Sequence, residues 1–158
     1  MTLSNPFLLI NALICVTTLA QAQVRTTYQL TQESCKKIAA ASIKYAVDNA
    51  APGGSVAIVD AGGHLLYLER MDGTFAQAAE VSYQKARSAA LFKKETKGFE
   101  DNINGGRFAL TTVGPVMLQG GFPILYKGEV IGAIGVSGAK TADQDTEIAK
   151  AGASTKLD

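Results

Sequence analysis

The chain has no tryptophan, a single histidine and two cysteines, and its charges almost cancel. Each scarcity removes a class of chemistry. One histidine rules out paired-histidine zinc motifs, and two cysteines are too few for a metal centre held by thiolates alone. Fifteen lysines and arginines against fourteen acidic residues leave a net charge of +1, so no summed field draws the protein to phosphate backbones, and nucleic acid is not an expected partner. Nor is there a hydrophobic run of the roughly 20 residues that a membrane span needs. The best stretch, Phe7 to Ala20, is broken by Asn11, Thr17 and Thr18.

That stretch belongs to an uncharged beginning that ends in Ala20-Gln21-Ala22, with small residues where a signal peptidase reads. Residues 1–22 are therefore expected to be a signal peptide. Gln23 would start the mature chain, placing the protein in the periplasm or outside the cell with no stable membrane insertion. A buried N-terminal helix or an uncleaved anchor is the alternative. Cys15 falls inside the leader and follows Ile14, a poor context for lipid attachment. Cleavage leaves Cys35 alone, without an internal disulfide, and it reads as a small buried hydrophobe on the first helix.

Residues 23–158 have the size and the 47% hydrophobic content of one ordinary domain. Thr31 offers a helix N-cap, and Cys35, Ile38, Ala39, Ser42, Ile43, Ala46 and Val47 recur at helical spacing as far as Asn49. Pro52-Gly53-Gly54 stops that helix. Ser55 to Asp60 and His64 to Met71 read as a hairpin turning at Ala61-Gly62-Gly63. A second helix is predicted with Ala76, Ala79, Tyr83, Ala86, Ala90 and Leu91 inward and Lys85, Arg87, Lys93 and Lys94 on or near the other side. A short helix and a loop with Gly105-Gly106 follow. Three strands, Val116 to Gln119, Phe122 to Tyr126 and Glu129 to Ser137, and a helix capped by Thr141 close the domain. The expected fold is α+β: a five-stranded, mostly antiparallel sheet flanked by helices, in a profilin-like arrangement.

Three motifs in order give the chain a family resemblance. The first is Val59-Asp60-Ala61-Gly62-Gly63-His64-Leu65 with Glu69-Arg70-Met71-Asp72-Gly73, and the second is Lys85-Ala86 in the alanine-rich helix. The third runs from Gly120-Gly121-Phe122-Pro123-Ile124 through Gly132-Ala133-Ile134-Gly135-Val136-Ser137-Gly138-Ala139 to Gln144-Asp145 and Ile148-Ala149-Lys150-Ala151-Gly152. Together they resemble the GlcG/HbpS-like family, which includes extracellular haem-binding proteins and the C-terminal domain of some corrinoid adenosyltransferases. The resemblance implies an exported protein that binds haem or another tetrapyrrole as a homo-oligomer.

A haem site needs an apolar slot, an axial donor and cations for the propionates. His64, the only histidine, is the axial and metal-ligand candidate by elimination, and an exposed turn residue is its other reading. Tyr83, Met71 and Met117 are reserve donors that serve equally as packing. Arg70 and Lys85 can hold a propionate or form structural ion pairs with Asp72 or Glu69. Asp143 and Asp145 suit the positive end of the last helix. No nucleophile elbow surrounds Ser137 and Cys35 has no recognisable partner, so no catalytic constellation emerges. Two rival functions stand beside haem binding. One is a small-molecule enzyme or accessory of glycolate, diol or aromatic catabolism that uses Arg70 and Lys85; the other is a structural oligomer with an incidental ligand.

Overall fold

Thr31 opens the first helix in the computed structural model, which describes residues 26–157. Its hydroxyl accepts the Ser34 N–H at 3.1 Å, and α1 runs Gln32–Asp48. The expected leader and cleavage point lie outside the described residues. A hairpin of β1 (Ser55–Asp60) and β2 (Leu65–Arg70) follows, then α2 (Gln77–Phe92), α3 (Lys97–Asn104) and a 3-10 turn at Phe108–Thr112. The chain ends with β3 (Gly121–Tyr126), β4 (Glu129–Ser137) and α4 (Ala142–Ala153). Thr141 caps α4 by accepting the Gln144 N–H. The strands form one antiparallel sheet in the order β2-β1-β4-β3.

The fold is α+β as expected, but the described residues supply four strands. Val116 to Gln119, expected to be the fifth, has no strand partner. Side chains take its backbone groups instead: the Ser88 hydroxyl donates to the Val116 carbonyl, and the Gln119 N–H donates to the Glu100 carboxylate at 2.7 Å. With those groups satisfied, strand pairing is not required there. At the start of β3's outer side Thr96 takes both groups of Gly121: its N–H donates to the Gly121 carbonyl while its hydroxyl accepts the Gly121 N–H.

The two faces of the sheet are covered differently. Val56 and Ile58 of β1 and Ile134 and Val136 of β4 point to one side, against Ile38 of α1 and Ile148 of α4. Fully burying a side chain of this size contributes about 1.5–3 kcal/mol. Cys35 lies in the same layer, with burial pushing its thiol pKa up. The opposite side is built from small residues. Ala57, Val59 and Ala133 of the sheet meet Ala86, Ala89 and Ala90 of α2. Gly121 and Gly135 let the helix backbone come closer still, because a Cβ on Gly135 would strike the Ser82 carbonyl and the Ala86 amide.

This small-residue contact buries Ala86 and Ala90 of α2 as expected, with Ala79 and Tyr83 half-buried, and it widens the inward side beyond them. Ala78, Ser82, Lys85, Ser88 and Ala89 are buried as well, whereas Ala76 and Leu91 are exposed. Lys85, expected near the solvent side, is 4% exposed. Its ammonium donates to Asp145 Oδ2 and to the Val136 carbonyl, each at 2.9 Å. Asp145 Oδ1 accepts the Ala139 N–H at 3.0 Å, so the carboxylate joins α2, the end of β4 and α4. Asp145 is thus an internal counter-ion rather than a surface charge at a helix N-terminus. Gly120, with φ of +110°, passes so close that a Cβ there would lie 3.0 Å from the Lys85 Nζ.

Two outcomes are expected. Gly135→Ala should destabilise the fold by at least the upper end of the roughly 1–3 kcal/mol typical of overpacking, because the obstruction is backbone. Urea denaturation reads this directly, and a loss under about 1 kcal/mol would refute the close contact. Lys85→Met should cost about 3–5 kcal/mol near neutral pH by stranding a buried carboxylate.

That cost should depend on pH. Burial pushes the Asp145 carboxyl above the ordinary carboxylate range, against the opposing pull of Lys85 and the Ala139 N–H. A carboxyl raised in this way binds its proton more readily when folded. Its favourable contribution is complete below the unfolded pKa and is lost as pH rises through the folded one. Without Lys85 the pKa climbs further, so the deficit of Lys85→Met relative to the native protein should grow as pH rises from about 4 to 7. Denaturation across that range would show a flat deficit if the pair were unimportant.

Candidate functional site

At the end of β1 the chain must reverse within a few residues, and Asp60 organises the turn. Its Oδ1 accepts the Gly62 N–H at 2.8 Å and the His64 N–H at 2.9 Å, closing a side-chain turn of the kind that favours aspartate. Gly63 follows with φ of +81°, and a Cβ there would lie 2.9 Å from Arg87 Cγ of α2. Tyr83, half-buried on the same helix, donates its hydroxyl to the Gly63 carbonyl at 3.4 Å. The turn is held by its own aspartate and braced by α2.

His64 stands on this turn with its side chain 79% exposed. Its Nδ1 lies 3.1 Å from Asp60 Oδ2 and 3.2 Å from Oδ1. Some burial works against ionisation of Asp60, but the His64 and Gly62 amides and the His64 ring outweigh it and hold the carboxyl below its ordinary range. An ionised carboxylate only accepts, so Nδ1 must carry the proton it shares. In the neutral ring this leaves the Nε2 lone pair free. The same carboxylate–histidine arrangement orients histidines that bind metals.

Beside the turn is a cleft of about 760 Å³, walled by residues 26–30, the β1–β2 turn and the β3–β4 turn. That volume falls within the roughly 300–1,000 Å³ of small-molecule sites. Leu30, Leu66, Val130 and Ile131 give it apolar walls, and Asp60, Lys93 and Glu129 add charge. Lys93 ends α2 in a left-handed conformation, with φ of +54°. His64 does not itself line the cleft but neighbours its wall: a Cβ on Gly62, which is part of that wall, would lie 3.0 Å from the His64 ring.

The six residues singled out in the sequence do not converge. His64 and Tyr83 meet at the turn, Tyr83 as its brace. Arg70 and Met71 lie at the other end of β2, roughly 17 Å along the strand from Leu65. Arg70 is exposed, and Met71 is half-buried against the isoleucine layer. Met117 is buried in the segment before β3. Lys85 is committed to Asp145, which corrects both readings of the Arg70 and Lys85 pair. The two cations share no anion, and Lys85 pairs with neither Asp72 nor Glu69. Glu69 accepts the Tyr67 hydroxyl at 2.7 Å instead.

Asp60 and Lys93 were missed as site residues. The spacing Asp60-Ala61-Gly62-Gly63-His64 carried a legible sign of the first, since an aspartate two residues before a turn glycine commonly caps the turn with its carboxylate. Nothing local marked Lys93, which reaches the cleft because of where α2 ends. Among the described residues no three His, Cys, Asp or Glu side chains cluster as a metal cage, and no helix is long and apolar enough to cross a membrane.

Residues 30–154 match the family model described as "Haem degrading protein HbpS-like". The protein GlcG of Escherichia coli K12 is 51% identical over 85 residues, which cover 52% of this chain and 63% of GlcG, less than two thirds of that relative's length. The crystal structure of a double mutant of Streptomyces reticuli HbpS superposes with a TM-score of 0.74 at 31% identity, covering 82% of this chain and 88% of that one. A PduOC–haem complex superposes with a TM-score of 0.70 at 25% identity over 80% and 94% of the two chains. A family match spanning this α+β core, from the strap before α1 to the end of α4, makes the chain a member of the GlcG/HbpS-like family.

Proposed function

We propose that the protein binds haem, or a closely related tetrapyrrole, at the cleft beside the β1–β2 turn, with His64 Nε2 as the axial donor. The observation that carries this reading is the Asp60 carboxylate on His64 Nδ1, which fixes the ring and leaves one nitrogen available. The residues fit the group in kind: the His64 imidazole beside the wall for iron, aliphatic walls for the macrocycle, and the Lys93 ammonium for a propionate. Bound haem would supply an iron centre for ligand or redox chemistry. The chain's own part is to orient the donor, keep the ring in one tautomer and exclude water from the apolar face. The family match and the haem complex of a structural relative support the same ligand.

Export to the periplasm or beyond, on a cleaved leader, belongs to this proposal. So does self-association, for which Leu65 and Leu68 on the open face of β2 and Phe108 on the 3-10 turn provide exposed apolar surface. The catabolic-enzyme reading drew on Arg70 and Lys85, and their separation removes that support.

Hemin titration followed by absorbance tests the proposal. The native protein should give a saturable Soret shift, His64→Ala should abolish it, and Asp60→Asn should weaken affinity about tenfold or more, as loss of a supporting carboxylate does at metal-bound histidines. A shift unchanged in His64→Ala would overturn the axial assignment. No shift in the native protein would overturn haem binding.

A further inference from the structure

On the other side of the 26–30 segment lies a second, smaller cleft of about 300 Å³. It is bounded by the start of α1, the end of β3 and the residues after α4. Leu30, Ile131 and Leu157 provide aliphatic surface. Tyr28 and Tyr126 stand together on the wall, edge to face, with ring centroids 4.8 Å apart at 73°. Lys127 places its ammonium over both rings, 5.2 Å from each centroid. Lys37 and Lys156 are the cations of the wall, and Glu33 is its one carboxylate.

Those groups leave an imbalance. Glu33 lies 3.5 Å from Lys37, an exposed pair one helical turn apart that contributes little. Lys156 has no ion-pair partner among the described residues. The cleft thus joins an aromatic and aliphatic interior to an excess of positive charge. Its volume lies at the lower limit for small-molecule sites and is well under half that of its neighbour.

We propose that this second cleft binds a small aromatic carboxylate, with its ring against Tyr28, Tyr126 and Leu157 and its carboxylate at Lys156 and Lys37. A planar ring can meet the tyrosine pair by edge or face, and the aliphatic floor removes its other surface from water. The carboxylate supplies an acceptor that Lys156 lacks among the described residues. A purely aliphatic ligand would forgo ring-to-ring contact with the tyrosine pair, and an inorganic anion would make no use of the pair. The two clefts share Tyr28, Gln29, Leu30 and Ile131, but His64 and Asp60 take no part in this second site.

Benzoate is a suitable probe, titrated by isothermal calorimetry and by tyrosine fluorescence, which the absence of tryptophan leaves unobscured. Saturable binding is expected at a Kd of about 1 mM or tighter. Lys156→Gln, an exposed change that leaves the fold intact, should weaken it about fivefold or more. Tyr126→Leu should also weaken it, and His64→Ala should leave it unchanged, which separates failure here from failure of haem binding. Absence of saturation up to about 10 mM would overturn the proposal. So would an affinity indifferent to Lys156→Gln, or inorganic phosphate competing as effectively as benzoate.

Discussion

The buried pair of Lys85 and Asp145 is the constraint on which the arrangement of helices depends. Taking two charges out of water costs several kcal/mol per ion, and their attraction recovers this only when the remaining hydrogen-bonding positions are filled. Here the Val136 carbonyl and the Ala139 N–H fill them. Such a pair adds little net stability over an apolar substitute, but it penalises every arrangement in which either charge loses its partner. Sliding or rotating α2 would strand Lys85, and lifting α4 would strand Asp145. The pair therefore sets the position of both helices against the end of β4, where two isoleucine and alanine surfaces alone would tolerate several.

Small residues make that pairing reachable. Lys85 can approach the sheet's end only because Gly120 has no side chain in its path, and α2 lies low only because Gly121 and Gly135 have none beneath it. The seated helix then acts at a distance. Arg87 and Leu91, further along α2, press on Gly63, and Tyr83 reaches the Gly63 carbonyl. The position of His64 follows from this chain of contacts, together with its bond to Asp60. A contact at the end of β4 thereby contributes to aiming an exposed imidazole beyond the end of β1.

Much of this was legible in the sequence, and the losses have a common origin. Thr31 and Thr141 marked two helix starts, β1 and β4 were read to the residue, and the hairpin turn fell where Gly62 and Gly63 put it. Those signals are local. The errors came where the decisive partner was distant. Hydrophobic periodicity found Ala86 and Ala90 of α2 but missed Ala78, Ser82, Lys85, Ser88 and Ala89, because the buried side is marked by smallness, with serines and even a lysine included, and the glycines of β3 and β4 make that side inward. The fifth strand failed because Ser88 and Glu100 captured backbone groups that a strand would have used. Asp145 looked like a helix-terminal charge because its true partner is 60 residues away.

The same reasoning explains why family motifs and functional residues are not one set. The resemblance rests on the hairpin, on Lys85-Ala86 and on the glycine-rich strands with Asp145. Lys85, Gly120, Gly121, Gly135 and Asp145 are spent inside the fold, where each meets a requirement of packing or charge. Asp60 and His64 are spent outward, since the aspartate satisfies the turn and the imidazole needs no internal contact beyond it. An exposed histidine held by a carboxylate costs the fold little, so its orientation is available for binding. A buried lysine already committed to a carboxylate and a carbonyl is not. Exposure and unspent valence, rather than membership of a motif, separate the residues that can meet a ligand from those that place them.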